Sequence, residues 1–437
     1  MSEIEPEQHS HSDDELAQQS SGLVGPKGDR IPRTFTAFRH RNYQLFFSGQ
    51  LISLTGTWLQ QVAQSWLVLE LVSRSRAELV MGLVSAVSAA PILLFSFYAG
   101  IVVDRLNKRN LIVGMQVVMM ILAFVLAALT HSRTITVVQI AITGFLLGAA
   151  NAFDAPARQS FVVDMVGKED LPNAIALNSA MFNGARILGP SVAGIVISVI
   201  GLAGAFFLNG LSFIAVIICL MMMRVNRNVP KSHGSAWLEF KEGLRFIRSQ
   251  PTIMALLTLI GMVSLFATPY QVLMPVLAKY NLGQSAKGLG YLFTGLGVGA
   301  LVGALTLSSF GDIKRKGRLL LVGSLTFCAA LVALSSAGNM YVAISALFFA
   351  GWGFIIQTAL INTLIQMSVP DELRGRVISV YTFMFMGMVP IGSLEAGIVA
   401  NQLGVSMTIR LGAIITAAVA LILSPKFIRA SSNGSSE

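Results

Sequence analysis

The stretch "GIVVDRLNKR" (residues 100–109) sets an aspartate in a basic turn between two long apolar runs, and the chain repeats the device as "SSFGDIKRKGR" (residues 308–318). Asp104 and Asp312 lie 208 residues apart (312 − 104). A second pair keeps nearly that interval: "KEDLPNAIALN" matches "PDELRGRVISV", with Leu171 and Leu373 separated by 202 residues (373 − 171). Two unrelated landmarks sharing almost one period predict a duplicated unit.

Working outward, the 437 residues are 54% hydrophobic and 12% charged, and the mean hydropathy is +0.70. These values exclude a soluble globular protein. Apolar runs recur from Tyr43 to Leu423, each long enough to cross a ~30 Å hydrocarbon core, and hydropathy gives about twelve. No strand-like alternation interrupts them, so the predicted fold is an all-α membrane protein with twelve transmembrane helices in two pseudo-symmetric six-helix bundles. The longest internal loop sets the division: a disordered tail over 1–33, an N-terminal bundle over 34–223, a linker over 224–251, a C-terminal bundle over 252–424 and a second tail over 425–437. Parallel repeats of this kind are characteristic of one large class of secondary transporters.

The 31 Lys and Arg divide unevenly across these spans. Arg74, Arg76, Arg133, Lys279, Lys287 and Arg410 fall on one side, Arg186 falls inside a span, and the remainder share the other side with both termini. Basic residues collect in cytoplasmic loops, which predicts cytoplasmic termini and assigns the net charge of +10 to topology, with no nucleic-acid partner. The polar N-terminal tail predicts disorder, with no cleavable signal peptide ahead of the first span and no metal site at His9 and His11. Cys219 and Cys328 sit in apolar runs, as core residues do. In the linker, "AWLEFKEGLRFIRS" (residues 236–249) puts Trp237, Phe240, Leu244 and Ile247 on one helical face, predicting a helix lying on the inner leaflet.

The loop residues Gly100, Asp104, Arg105, Lys108 and Arg109 resemble the signature loop of the major facilitator superfamily. Its second copy is weaker, with Ser308 and Ile313 replacing a Gly and an Arg. The stretches "RHRNYQLFFSGQLISLTGTWLQQVAQSWLVLELV" and "NAFDAPARQSFVVDMVGKEDLPNAIALNSA" are similar to the enterobactin-exporter-like branch. The resemblance covers nearly the whole chain after the tail and implies a central cavity with alternating access. Asp104 and Asp312, each facing the N-terminal turn of a neighbouring helix, would then gain ~0.3 to 1 kcal/mol from its dipole and form, with Gly100, Arg105 and Arg109, a cytoplasmic latch.

Ala185, Gly189 and Ala193 share one face of the fifth span at four-residue spacing, and Gly295, Gly299 and Gly303 do the same on the eighth. Such stripes let membrane helices approach closely, and the resemblance implies that these two spans meet across the halves. "ARILGPSVAG" (residues 185–194) resembles a fifth-helix motif of exporters, with Pro190 able to bend the helix and Gly194 closing the segment, so it is expected to act as a gate. Ser53, Thr57, Gln60, Gln61 and Gln64 form a polar stripe on the first span, expected to face water in a substrate cavity. Arg186 either snorkels toward the cytoplasmic interface or, in the preferred reading, faces that cavity paired with Asp154. Glu395, the one acidic residue well inside a span, is the expected proton carrier, with Asp154 next.

No phosphate loop "GxxxxGK[ST]" occurs, which argues against ATP-driven transport by this chain alone, and no metallohydrolase or serine-hydrolase motif points to an enzyme. The expectation is a monomeric exporter of small amphipathic molecules in a bacterial inner membrane, needing no cofactor and using protons as the coupling ion. The alternatives are an importer or facilitative carrier of the same fold and a transport-dead membrane sensor.

Overall fold

A computed structural model describes residues 33–167, 169–223, 236–309 and 315–433. Among the described residues, twelve helices span the structure. The first half holds α1 (Arg41–Leu71), α2 (Ala77–Arg105), α3 (Lys108–His131), α4 (Val137–Val166), α5 (171–200) and α6 (202–221). The second holds α7 (Pro251–Asn281), α8 (Ala286–Ser309), α9 (Lys316–Ser335), α10 (Met340–Ser368), α11 (Asp371–Leu403) and α12 (Val405–Asn433). The N-terminal tail expectation and Asp312 lie outside the described residues.

Local chemistry sets the helix ends. α5 and α6 form one helical run of 51 residues, turned at Gly201 with φ of +73°, a left-handed conformation open to glycine. Without that turn the run would reach ~76 Å, more than twice the hydrocarbon thickness. A capping box of Thr136 and Gln139 starts α4, Asn107 caps α3 and Asn339 caps α10. α12 continues past residue 424 to Asn433, so most of the expected C-terminal tail is helix.

The spans make two bundles. α1 packs on α5 and α6, α2 on α4, and α3 on α4 and α6; in the second half α8 and α9 pack on α10, and α12 on α7 and α9. Across the halves the main seams are α5 against α8 and α2 against α11. The described residues of the loops after α2, α4 and α10 lie on one face, called the basic face below, and the loops after α1, α3, α5, α7, α9 and α11 lie on the opposite one. In the linker helix Ala236–Ser249 the described residues pack on α11. Ile247 is buried, a Cβ at Gly243 would lie 2.9 Å from the Arg376 carbonyl oxygen, and Glu242 pairs with Arg376 of α11 at 2.5 Å. The half of the apolar face that is described therefore packs on protein. The side chains of Trp237 and Phe240 lie outside the described residues.

Candidate functional site

A cavity of about 520 Å³ lies between the halves. Its first-half wall is built by the α1 stripe: Thr57, Gln60, Gln61 and Gln64 all line it, at spacings that put them on one side of a helix. Gln60 is fixed from behind, where Asn209 of α6 donates to its side-chain oxygen at 2.5 Å. The second-half wall comes from α7, with Ser264, Thr268 and Gln271, and from Ser393 of α11. Ser53 belongs to the same sequence stripe but is buried away from the cavity; its carbonyl accepts from the Thr57 hydroxyl at 2.9 Å.

Charge enters the wall through a residue that composition assigned to a loop. α4 runs on to Val166, which carries Arg158 into the structure, one turn beyond Asp154. Arg158 lines the cavity, pairs with the buried carboxylate of Asp154 and donates to Gln50 of α1. Gln116 of α3 also donates to Asp154, at 3.1 Å. Asp154 is thus held by Arg158 and not by Arg186, because a partner four residues along the same helix is already in reach. Arg186 stands outside the cavity wall, with its guanidinium donating to Asn183 at 3.3 Å. The signal for Arg158 was the i, i+4 pair in "DAPAR", hidden because the apolar run ends before it.

The gate residues also sort differently from their spacing. Gly295, Gly299 and Gly303 face α10: a Cβ at Gly295 would come within 3.0 Å of Ile344, one at Gly299 would run into the Phe348 carbonyl, and one at Gly303 would lie 2.8 Å from the Trp352 carbonyl oxygen. Gly189 faces Trp58 of α1, whose ring would stand 2.6 Å from a Cβ added there. The α5–α8 seam is made by neighbours on other faces. A Cβ at Gly290 would lie 2.5 Å from the Pro190 carbonyl oxygen, one at Gly297 2.7 Å from Ile187 and one at Gly194 2.8 Å from Lys287. Thr294 hydrogen-bonds Ser191 and donates to the Ile187 carbonyl at 3.1 Å. Ala185 and Ala193 are buried. A small-residue stripe thus marks a close-packing face without saying which neighbour it meets.

The α5–α8 approaches, and that of Gly82 on α2 to Gly397 on α11, 2.6 Å from a Cβ to the facing Cα, close the side away from the basic loops. Nearby, Lys279 at the end of α7 donates to the Leu69 carbonyl of α1 at 2.9 Å and lies 5.7 Å from the Trp66 ring, while Arg74 lies 4.3 Å from the Tyr280 ring. Toward the basic face, a Cβ added at Gly100 or Gly184 would meet nothing within 4 Å. Arg105 is exposed. Lys108 pairs with Asp164 at 2.8 Å and Arg109 donates to the Leu220 and Met221 carbonyls at 2.7 and 2.6 Å, all within the first half. The side chain of Asp104 lies outside the described residues. Glu395 is half-buried on α11, outside the cavity wall and without a hydrogen-bond or ion-pair partner among the described residues.

Comparisons agree with this architecture. The chain is 26% identical to a staphyloferrin A transporter of Staphylococcus aureus over 86% of its own length and 94% of the relative's. It is 21% identical to macrolide efflux protein A of Streptococcus pyogenes, over 88% and 96%, and 25% identical to an enterobactin exporter of Escherichia coli over about half of each chain, 50% and 52%. Among solved structures, a bacterial homologue of the lysosomal transporter Spinster, inward-facing and unoccupied, superposes with a TM-score of 0.66 at 16% identity, covering 92% of this chain and 98% of that one. A POT family transporter superposes at 0.70 and 11% identity, over 91% and 99%. The family model described as transmembrane secretion effector matches residues 33–435: the chain is a multi-pass membrane transporter of the major facilitator superfamily and belongs to that efflux-like branch.

Proposed function

We propose that this transporter exports small amphipathic organic molecules by alternating access, driven by proton antiport, from a bacterial inner membrane with both termini cytoplasmic. The observation carrying this reading is a cavity of mixed polar and apolar lining, built from both halves and shut on the face opposite the basic loops. Under the positive-inside orientation that shut face is external, so the cavity is disposed to load from the cytoplasm. The relatives that export enterobactin and efflux macrolides support the direction and suggest siderophore-like or drug-like cargo. Glu395 is assigned the coupling proton because it is a carboxylate within a span that no cation among the described residues neutralises, whereas Asp154 already has Arg158.

The test uses everted vesicles, with siderophore- and macrolide-class compounds as cargo and an imposed pH gradient. Uptake into everted vesicles that an uncoupler collapses is expected for the wild type. Glu395→Gln should abolish gradient-driven uptake while retaining equilibrium binding. Wild-type uptake by Glu395→Gln transfers the assignment to Asp154, and accumulation only in right-side-out vesicles replaces export with import.

A further inference from the structure

α7 leaves α-helical hydrogen bonding within the cavity wall. Over Val263–Ala267 it forms a π-helical turn, closed by the Thr268 N–H donating to the Val263 carbonyl at 2.8 Å. Single π turns inside α-helices gather at functional sites. Many hydroxyls elsewhere in the helices bond a carbonyl three or four residues back, as Thr258 does to Met254 at 2.8 Å and Ser393 to Val389 at 2.7 Å. Ser264 Oγ and Thr268 Oγ1 have no partner among the described residues, although Ser264 is only 1% exposed, and both residues line the cavity.

In the first-half wall, Gln60 Nε2 and Arg158 Nε are likewise buried without an acceptor among the described residues. Gln60 is 3% exposed. Unmade hydrogen bonds at buried groups cost stability, and four of the ten such side-chain atoms among the described residues belong to residues of this one cavity wall, where a ligand would complete them. Their chemistry is one-sided: an amide N–H and a guanidinium N–H can only donate, and the two hydroxyls can donate. The charge in the wall itself is of one sign, with its neutralising partner set back from the cavity. Arg158 is the one charged residue among those described that line the cavity, and the carboxylate of Asp154 stands behind it, in contact with Arg158 and Gln116. Among the described residues no carboxylate lines the cavity itself, so an organic cation would find no counter-charge in its wall.

We infer that the cavity selects oxygen-rich organic anions over organic cations, with Ser264 and Thr268 on the π turn as the second-half anchor and Gln60 and Arg158 as the first-half anchor. The inference rests on the cavity being the cargo site and, of the two cargo classes proposed above, selects the siderophore-like one over the cationic macrolides. Carboxylate or phenolate oxygens would accept from donors on both halves at once, and so bind best when the halves are close enough to share them.

The test is equilibrium binding by fluorescence anisotropy to the purified full-length protein, with two xanthene dyes of one skeleton and opposite charge, fluorescein and rhodamine 123. Fluorescein should bind at least about tenfold more tightly. The double variant Ser264→Ala, Thr268→Val should lose about tenfold in fluorescein affinity, as expected for two hydrogen bonds, with its melting temperature kept near wild type. Thr258→Val, which removes a bonded hydroxyl of the same helix outside the cavity wall, should leave fluorescein affinity unchanged. Rhodamine 123 binding as tightly as fluorescein, no binding of either dye to folded protein, or equal losses in the Thr258 and Ser264/Thr268 variants would each overturn the inference. The measurement involves no gradient and no direction, so dye selectivity can hold where export fails, and the two readings fall separately.

Discussion

On the face away from the basic loops the two halves meet backbone to backbone, at Gly82 with Gly397 and at Gly290 with Pro190. On the basic face the ion pairs Lys108–Asp164, His40–Asp170 and Glu242–Arg376 stay within one half or tie the linker helix to α11. Both faces carry basic side chains in contact with their surroundings, yet among the described contacts only those of the face away from the basic loops cross the boundary. The difference identifies a state. A transporter that alternates must be able to exchange these two patterns, so the seam that is made here has to break and the one that is absent has to form.

The largest effect should come from overfilling the made seam. Gly290→Leu would drive a side chain into the Pro190 carbonyl, whose oxygen lies 2.5 Å from a Cβ, and backbone on both sides cannot yield cheaply. Overpacking costs about 1–3 kcal/mol, and it acts only on the state in which the seam is closed. Transport should fall to background, and a cysteine introduced at Thr268 should become reactive to a membrane-impermeant thiol reagent from outside in whole cells, in a background lacking Cys219 and Cys328. Leu188→Ile, at an exposed position of α5, should transport at near wild-type rates.

Next in size is the cationic clasp beside that seam. Lys279 places an ammonium on the Leu69 carbonyl and near the Trp66 ring, at the C-terminal end of α1 where carbonyls lack helical partners. A desolvated cation–π contact contributes about 2 kcal/mol. Lys279→Met should therefore shift the population at least about tenfold toward the externally open state, read by distance measurements between spin labels on α1 and α7. By charge alone Lys279 and Arg74 are exceptions to the topology bias; their contacts give them a reason to be there.

Asp104→Asn tests the seam that is not formed. If Asp104 latches the basic face when the external face opens, its loss disfavours the externally open state by ~0.3 to 1 kcal/mol, opposite in sign to Lys279→Met. Transport should slow severalfold with membrane insertion intact. The double variant should return toward the wild-type population, and additive shifts of the same sign would break the two-seam comparison.

The bundle fold was legible in the sequence because hydropathy and duplication are properties of whole segments. The site was legible only where a pattern named both partners. Thr57, Gln61 and Gln64 needed just one helix face, and they line the cavity. Gly295, Gly299 and Gly303 needed a neighbour that spacing cannot supply, and α10 took the place expected of α5. Arg158 was lost because an apolar run ends at a charge while the helix does not. Ser264 and Thr268 were lost because a π turn is a hydrogen-bond register, invisible to residue type.

The smallest effect concerns the basic face of the first half alone. His40, just before α1, hydrogen-bonds Asp170, just before α5, at 2.8 Å, and Tyr43 reinforces the junction by donating to the Ala174 carbonyl at 3.0 Å. The hydrogen bond from His40, followed by one from Thr36, holds the Asp170 carboxyl below its ordinary value. A carboxyl lowered by folding binds its proton less tightly folded than unfolded. Its contribution is therefore complete above the unfolded value, near ~3.9, and is lost as pH falls through the folded one. Because the pair is partly exposed, solvent screening keeps the effect small, about a degree or two in melting temperature. Asp170→Asn should lower the melting temperature by that amount at pH 7 and converge on wild type as the pH falls through the lowered folded value. Since the junction lies inside one half, the variant should leave the spin-label distances across both seams unchanged; a shift in them would mean that the basic-face contacts of the first half report on the state after all.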